Sequence, residues 1–380
     1  MVSPYQVSVT KRIVVATNSD WCAYNFRPTL IRTLLSAGYP VTVVAPSDGY
    51  HDRLLALGCD VERVSIDKTG ANPLRDLRLC LQYRNLYRRL QPVAALHYAV
   101  KPVICGTLAC VWLGIPSVNM ITGLGTAFIR DSWLTRVVEL LYRITLRRST
   151  KLFFQNHDDL NLLVERRVIR SGLAERLPGS GVDLDRFAFR PLPPASTDTF
   201  LLVARMLWDK GVGEFVEAAR SLRQAGVAGR FQLLGVIGAE NRTAIPAATI
   251  QQWVAEGVVE YLGATDDVRP FLANATCVVL PSYREGIPRT LLEAAAMGRP
   301  VIAADSAGCR DVVEDGVSGF LCQVRSASDL ADKLTRFTTL SPDGKAAMGQ
   351  AGRRKMEQEF DERIVIRRYI EVIKELDTPH

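Results

Sequence analysis

A chain of 380 residues, 48% apolar and 23% charged, can build a packed core and is long enough for two domains, and its composition excludes global disorder. The net charge of +7 is uneven: residues 1–190 carry 25 Lys and Arg against 15 Asp and Glu, and residues 191–380 carry 22 against 25. The eight cysteines form no Cys-x-x-Cys pair and mostly sit in apolar runs, and the four histidines form no ligand-spaced cluster, which excludes a disulfide scaffold or zinc module and indicates a reducing compartment.

Residues 1–11 lack the apolar core of a signal peptide. Residues 12–17 read as a first strand, and a loop over 18–27 leads into a helix that ends near Gly38. A second strand (41–44), a helix (53–57) and a third strand (61–66) follow. The segment 73–90 is helical, with Leu at 74, 77, 81, 86 and 90 and Arg at 75, 78, 84, 88 and 89. After a fourth strand over 93–96, residues 102–129 contain no charge across 28 positions. That length could span a bilayer, but Gly114, Pro116, Asn119, Gly123 and Gly125 interrupt it. It parses instead as a buried helix (103–113), a buried strand (117–121) and a glycine loop, the apolar runs of a parallel sheet covered on both faces. A helix (133–146), a strand (152–154) and a helix (158–164) complete a β-α alternation that predicts a doubly wound parallel sheet.

Residues 190–197, Arg-Pro-Leu-Pro-Pro-Ala-Ser-Thr, read as a linker. A second alternation then runs through strands at 199–203, 231–234, 258–261, 277–280 and 301–303, with helices at 212–225, 249–255 and 268–274 and one after 285. The tail 342–376 is helical.

The stretch Pro281-Ser-Tyr-Arg-Glu-Gly-Ile-Pro-Arg-Thr-Leu-Leu-Glu-Ala-Ala-Ala-Met-Gly-Arg-Pro300 reads as strand end, tight loop and helix. Pro288 suits the first helical turn, Gly298 closes the helix and Pro300 stops it. Glu285 and Gly286 then lie in the loop and Glu293 inside the helix. A helix start offers N–H groups to an anion, and ligands of open α/β sheets bind beyond the carboxyl ends of strands. A carboxylate there would repel a simple anion. A nucleotide sugar reconciles the two, because its diphosphate takes N–H groups and cations while its hydroxyls donate to carboxylates. Val203-Ala-Arg-Met-Leu-Trp-Asp-Lys-Gly211 brings Arg205 and Lys210 to the same edge, cations suited to a diphosphate, with Asp209 capping the following helix.

The Glu-x7-Glu segment, with Gly-Ile-Pro after its first glutamate, resembles the signature of the retaining glycosyltransferases of family 4. The resemblance covers most of the chain and is strongest over 200–325. It implies an α/β fold of two Rossmann-like doubly wound parallel-sheet domains facing a cleft (GT-B type). Residues 1–190 would bind the acceptor and 191–360 the nucleotide sugar, with 361–380 a helix packing back toward the first domain. It further implies that Glu285 faces the donor sugar, that Arg205 and Lys210 stabilise the departing diphosphate, and that Glu293 holds the ribose. Gly286, Ile287, Pro288, Thr290 and Leu291 would complete the donor site.

The segments 101–106 and 121–128 are similar to those of transferases that build capsule, O-antigen and other lipid-linked saccharides, as are Gln155-Asn156 and the turn 178–182. Gly123 and Gly125 permit close backbone approach to a ligand or form a tight turn. Asn25-Phe-Arg27 stands where many family members carry Gly-Gly, so Asn25 and Arg27 are assigned to the acceptor, with His97, Lys101 and Thr122. His97 stays open between a general base and a packed histidine. The donor expected is a UDP-sugar, with no cofactor and no metal; Asp183-Leu-Asp185 imitates a metal-binding pair but lies in a glycine turn away from any strand end.

No nucleic-acid motif accompanies the basic first half, so no nucleic-acid partner is expected. An anionic membrane surface fits better. The segment 133–151 combines Leu134, Val137, Leu140, Leu141 and Leu146 with Arg136, Arg143, Arg147, Arg148 and Lys151, as an interfacial helix or as a core-facing helix with a solvated basic side. The expected location is cytoplasmic, peripheral at the inner face of the plasma membrane. The expected reaction transfers a hexose or N-acetylhexosamine to a polyprenyl-diphosphate-linked saccharide in surface polysaccharide assembly. A nucleotide-sugar 2-epimerase of the same fold and a non-catalytic nucleotide-sugar-binding partner are the alternatives.

Overall fold

Runs of Val, Ile, Leu and Ala set the strands, and glycines and caps set where helices begin and end. The computed structural model describes residues 11–67, 72–124, 128, 133–194, 197–239 and 241–377. The first domain contains β1 (Ile13–Ala16), α1 (Asp20–Phe26), α2 (Pro28–Ser36), β2 (Val41–Ala45), α3 (His51–Leu55), β3 (Asp60–Arg63), α4 (Pro73–Leu90), β4 (Ala94–Tyr98), α5 (Val100–Leu113), β5 (Ser117–Ile121), α6 (Trp133–Leu146), β6 (Lys151–Phe154), α7 (His157–Glu165) and β7 (Ala174–Arg176). Its seven parallel strands lie in the order β3-β2-β1-β4-β5-β6-β7. Successive residues of β1 serve opposite faces. Ile13 and Val15 join the core under α2, and Val14 and Ala16 the core under α4 and α5.

The second domain contains β8 (Thr199–Val203), α8 (Val212–Gln224), β9 (Arg230–Leu234), α9 (Ala247–Ala255), β10 (Glu260–Tyr261), α10 (Arg269–Asn274), β11 (Cys277–Leu280), α11 (Arg289–Ala296), β12 (Val301–Ala304), α12 (Cys309–Val312), β13 (Gly319–Cys322), α13 (Ala327–Thr338) and α14 (Pro342–Glu359). Its six parallel strands lie in the order β10-β9-β8-β11-β12-β13. The chain then enters α15 (Glu362–Asp377), which buries Val365, Tyr369, Val372 and Ile373 in the core of the first domain.

Two crossings join the domains side by side. The Val182 N–H donates to Phe360 O at 2.8 Å and the Glu362 N–H to Val182 O at 3.1 Å. Gly181, at φ +67°, allows this approach, since a methyl group there would lie 2.3 Å from Glu362 Cα. Arg299 is fully buried and pins the linker, donating to Pro191 O at 2.7 Å, to Arg190 O, and to Ala273 O and Ala275 O at 3.2 and 3.3 Å. Burial lowers its pKa to about 10.

Several expected boundaries change. The loop assigned to 18–27 holds α1, capped by Ser19 Oγ accepting from the Cys22 N–H at 3.0 Å. The helical tail 342–376 is divided into α14 and α15 at Phe360–Asp361, where Asp361 bridges Val182 in the second crossing. The uncharged stretch is α5 and β5, and among the described residues no helix is long and apolar enough to cross a membrane.

Candidate active site

Strand order reverses between β8 and β11, which are neighbours in the second sheet but lead their chains to opposite sides. Such a reversal opens a crevice at the carboxyl ends of the strands. The loops after β8 and β11 meet there. The Asp209 carbonyl accepts Ser282 Oγ at 3.2 Å and the Tyr283 N–H at 3.0 Å, and Ser306 Oγ donates to Ser282 O at 2.8 Å. Gly211, at φ +73°, lets the loops press together, for a methyl group there would lie 2.2 Å from Pro281 O. Asp209 thus contributes its carbonyl to the loop contact. It does not cap α8, whose N-cap is Gly211 without a side-chain bond.

This contact brings Lys210 Nζ onto Glu285 Oε1 as a hydrogen-bonded ion pair, both side chains mostly covered. Arg205 follows β8 and is exposed. Glu293 lies one turn inside α11 and is held by Arg289 Nη2 at 2.9 Å and Nε at 3.1 Å. Arg289 also donates to Ser180 Oγ at 3.2 Å and lies 5.3 Å from the ring centre of Phe26. Pro288 is extended at the N-cap, so the helix begins one residue later than expected, at Arg289. Thr290 Oγ1 donates to Val203 O at 3.1 Å, fastening α11 to the end of β8. Ile287 and Leu291 are buried in the core of the second domain, so their side chains anchor the loop and helix and are not presented to a ligand.

The first domain touches this loop directly. Gly123, at φ +109°, faces Gly286: a methyl group on Gly123 would lie 2.9 Å from the Gly286 nitrogen. One on Gly286 would lie 2.4 Å from Thr122 O and 2.1 Å from Gln155 Oε1. The close approach expected of Gly123 is therefore to protein backbone. Thr122 supplies its carbonyl to the same contact, and Gly125 lies outside the described residues. Gln155 and Asn156, matched in the sequence without a role, both bond the Glu285 loop, as does Asp159 through Arg284. Asn156, two residues past the end of β6, carried a helix-cap signal; it caps α7 at the Asp159 N–H with a 2.7 Å bond.

The acceptor assignments fare differently. His97 lies within β4, fully buried, with Nδ1 2.8 Å from Asn119 Oδ1 and Nε2 3.0 Å from the Tyr87 hydroxyl. Burial lowers its pKa to about 4. A histidine with both nitrogens bonded and no path to solvent is a packed residue, and its assignment to the acceptor is corrected. Arg27 is buried at the N-cap of α2, its guanidinium 4.2 Å from the centre of the Tyr98 ring and bonded to Phe26 O at 3.1 Å, so it too is withdrawn from an acceptor. Asn25 lies in the last turn of α1 and donates to Trp21 O at 3.0 Å. Lys101, in the first turn of α5, pairs with Asp76 at 2.7 Å. Asp183 Oδ1 accepts the N–H groups of Asp185 and Arg186 at 3.0 and 2.8 Å, which explains the Asp-x-Asp pattern as turn chemistry.

Comparison with known proteins agrees with this layout. The family model Glycosyl transferase 4-like matches residues 13–156, and Glycosyl transferases group 1 matches residues 197–339. The N,N'-diacetylbacillosaminyl-diphospho-undecaprenol alpha-1,3-N-acetylgalactosaminyltransferase of Campylobacter jejuni is 26% identical over 383 residues, 95% of this chain and 98% of that one. A glycosyltransferase from Rickettsia africae superposes with a TM-score of 0.80 at 16% identity, covering 97% of this chain and all of the other. Anabaena Alr3699/HepE in complex with UDP gives 0.76 at 18% identity, covering 96% and 100%. These two likenesses establish the GT-B fold. With one model on each domain and a full-length relative, the chain belongs to the GT4-like glycosyltransferases.

Proposed function

We propose that this glycosyltransferase moves a hexose or N-acetylhexosamine from a UDP-sugar to a polyprenyl-diphosphate-linked saccharide, with retention at the anomeric carbon, in assembly of a surface polysaccharide. The Lys210–Glu285 pair carries the reading. It lies where the two carboxyl ends of the second sheet diverge and where the first domain closes on the loop. In the proposed mechanism Glu285 orients the donor sugar. Lys210 and Arg205 stabilise charge on the departing diphosphate, a term that often dominates catalysis. Glu293 releases Arg289 to accept the ribose hydroxyls. The start of α11 adds unpaired N–H groups. The full-length relative, named for an undecaprenol-linked acceptor, supports a lipid-linked acceptor, and the neighbour solved with UDP supports the donor nucleotide.

The test is incubation with UDP- and GDP-sugars, with and without a synthetic polyprenyl-diphosphate sugar, following nucleotide release and product mass. Acceptor-dependent release of UDP with one added sugar is expected, its anomeric configuration read by NMR. Conversion of the donor without acceptor would assign the chain to epimerase chemistry instead, and binding without turnover to a non-catalytic role. We also propose that no metal takes part, so activity survives EDTA; loss restored by magnesium or manganese overturns this.

A lipid-linked acceptor calls for membrane contact. Val137, Leu140, Leu141 and Ile144 of α6 are exposed, and Arg136 and Arg148 of the same segment are exposed with them, whereas Leu146 is buried; Trp112 of α5 is also exposed. An apolar strip flanked by arginines suits an anionic interface. Flotation with vesicles containing anionic lipid is expected to carry the protein, and Leu140→Asp to abolish this; equal flotation of both would remove α6 from the contact.

A further inference from the structure

The loop that carries Glu285 belongs to the second domain, yet much of its hydrogen bonding comes from the first. Arg284 forms a hydrogen-bonded ion pair with Asp159 of α7, whose side chain is 1% exposed. Asp159 Oδ2 accepts the Leu124 N–H at 3.2 Å and Asn156 Nδ2 at 3.3 Å. Asn156 Nδ2 also reaches Gly286 O at 2.7 Å and Glu285 O at 3.2 Å, and the Ile287 N–H donates to Gln155 Oε1 at 3.0 Å. Four consecutive residues, 284 to 287, are thus fixed from the junction of β6 and α7. On the second domain's own side, the Glu285 N–H donates to Ala307 O at 3.0 Å, and Gly308 leaves room for the Gly286 carbonyl.

A carboxylate as buried as Asp159 is tolerated while its cation stays beside it. Separation of the domains would strand that charge and release the carbonyls of Glu285 and Gly286 together. Asp159 is 1% exposed with both carboxylate oxygens already bonded, so its part in transfer would run through Arg284 and the loop.

We propose that Asn156 and Asp159 are positioning residues for Glu285. Through the backbone of residues 284–287 the acceptor-side domain orients the donor-side carboxylate. This rests on the reading of Glu285 as the residue that faces the donor sugar.

Two variants separate positioning from folding. Asn156→Ser keeps a competent helix cap and shortens the reach to Gly286 O. Asp159→Asn keeps the shape and the acceptor for the Leu124 N–H while removing the charge opposite Arg284. Transfer is measured with the pair that turns over fastest in the panel above, UDP affinity by calorimetry, and folding by the thermal midpoint. Each variant is expected to lower kcat by about 10²-fold, the scale of an ångström-level misplacement, with the UDP Kd unchanged. Adding Arg284→Gln to Asp159→Asn should cost less than the two single losses combined. Asp158→Asn, which removes the exposed pair with Arg310 at 3.3 Å, should keep kcat. Unchanged kcat in Asn156→Ser and Asp159→Asn overturns the inference, as does a loss of UDP affinity or thermal midpoint that accounts for the whole effect. Glu285→Gln serves as the reference. Full transfer by that variant removes the donor-site reading itself, whereas loss of transfer there with normal Asn156→Ser removes only the positioning role.

Discussion

The Lys210–Glu285 pair has little to do with holding the protein together. Its side chains are 20% and 15% exposed, so desolvating both charges offsets most of their attraction, and the loops that bear it are fixed by backbone bonds of their own. Its effect should therefore be kinetic. Lys210→Ala and Glu285→Gln are each expected to lower transfer by about 10²–10³-fold, the cost of removing one group aimed at developing charge. The thermal midpoint should stay near the parent value. Single-turnover rates beside thermal melts check this, and a Lys210→Ala enzyme working at the parent rate would take the lysine out of charge stabilisation. Lys210 and Glu285 were legible because each lies in a continuous motif ending a strand. Asn156 was matched without a role and Asp159 was not singled out, since their partners are about 130 residues away and no local pattern reports which loops two domains will press together. His97 misled because a polar residue near a strand end has the same sequence appearance whether it faces the crevice or the next helix.

Between elements, that histidine ties α4 to β4 and β5. Tyr87 of α4 bonds Nε2, and Asn119 of β5 bonds Nδ1 while donating to Thr107 Oγ1 at 2.9 Å and Ser149 Oγ at 2.6 Å. With the Asn119 oxygen accepting, the proton sits on Nδ1 and Nε2 accepts from the tyrosine. The site therefore holds neutral imidazole, and burial lowers the pKa from its ordinary 6.5 to about 4. In this interval the unfolded chain takes up a proton that the folded site refuses. The stabilising effect is full above pH 6.5 and is lost as pH falls toward 4, by on the order of 3 kcal/mol across the interval. Urea midpoints at pH 4.5 and 7 should differ by more in the parent than in His97→Gln, which has no imidazole to charge; equal differences would place the acid sensitivity elsewhere. The elements that position the crevice were mostly readable, because β1, β4, β8 and β11 are apolar runs that only a parallel sheet covered on both faces explains. The last strand of each sheet was not. β13 is the short Gly-Phe-Leu-Cys, and β7 at the edge of the first sheet is a half-covered Ala-Glu-Arg with no apolar signature. The Ser326 cap of α13, which accepts the Asp329 N–H at 3.2 Å, was a readable signal that went unused.

At the scale of the molecule, the chain visits the first domain twice. After both domains are built, α15 returns to the face of the first sheet and places Tyr369 5.1 Å from the ring of Phe153 and 6.2 Å from that of Tyr98. Arg368 pairs with Glu175 of β7 at 2.9 Å, and Asp377 binds Lys11 at 2.6 Å. The core of the first domain is therefore completed by α15. That core draws on a segment that reaches it by crossing from the second domain. The two crossings, bonded to each other at Val182, Phe360 and Glu362, make that dependence geometric. Loosening α15 should then destabilise a domain whose remaining sequence is intact. Tyr369→Ala, which empties a fully buried ring, is expected to cost about 3–5 kcal/mol, as large-to-small changes of aromatic core residues do. The loss should fall on the first domain. Hydrogen exchange resolved by peptide should show faster exchange in β1, β4 and β5 and little change in β8, β11 and β12. Equal acceleration in both sheets would mean that the domains unfold as one unit, and unchanged exchange in β4 would mean that the first core closes without α15. The outcome bears on transfer as well, because the β6–α7 junction that holds the Glu285 loop is built on the same sheet. A first domain loosened from its far face would hold that loop less firmly, so kcat in Tyr369→Ala should fall at temperatures where the protein is still folded.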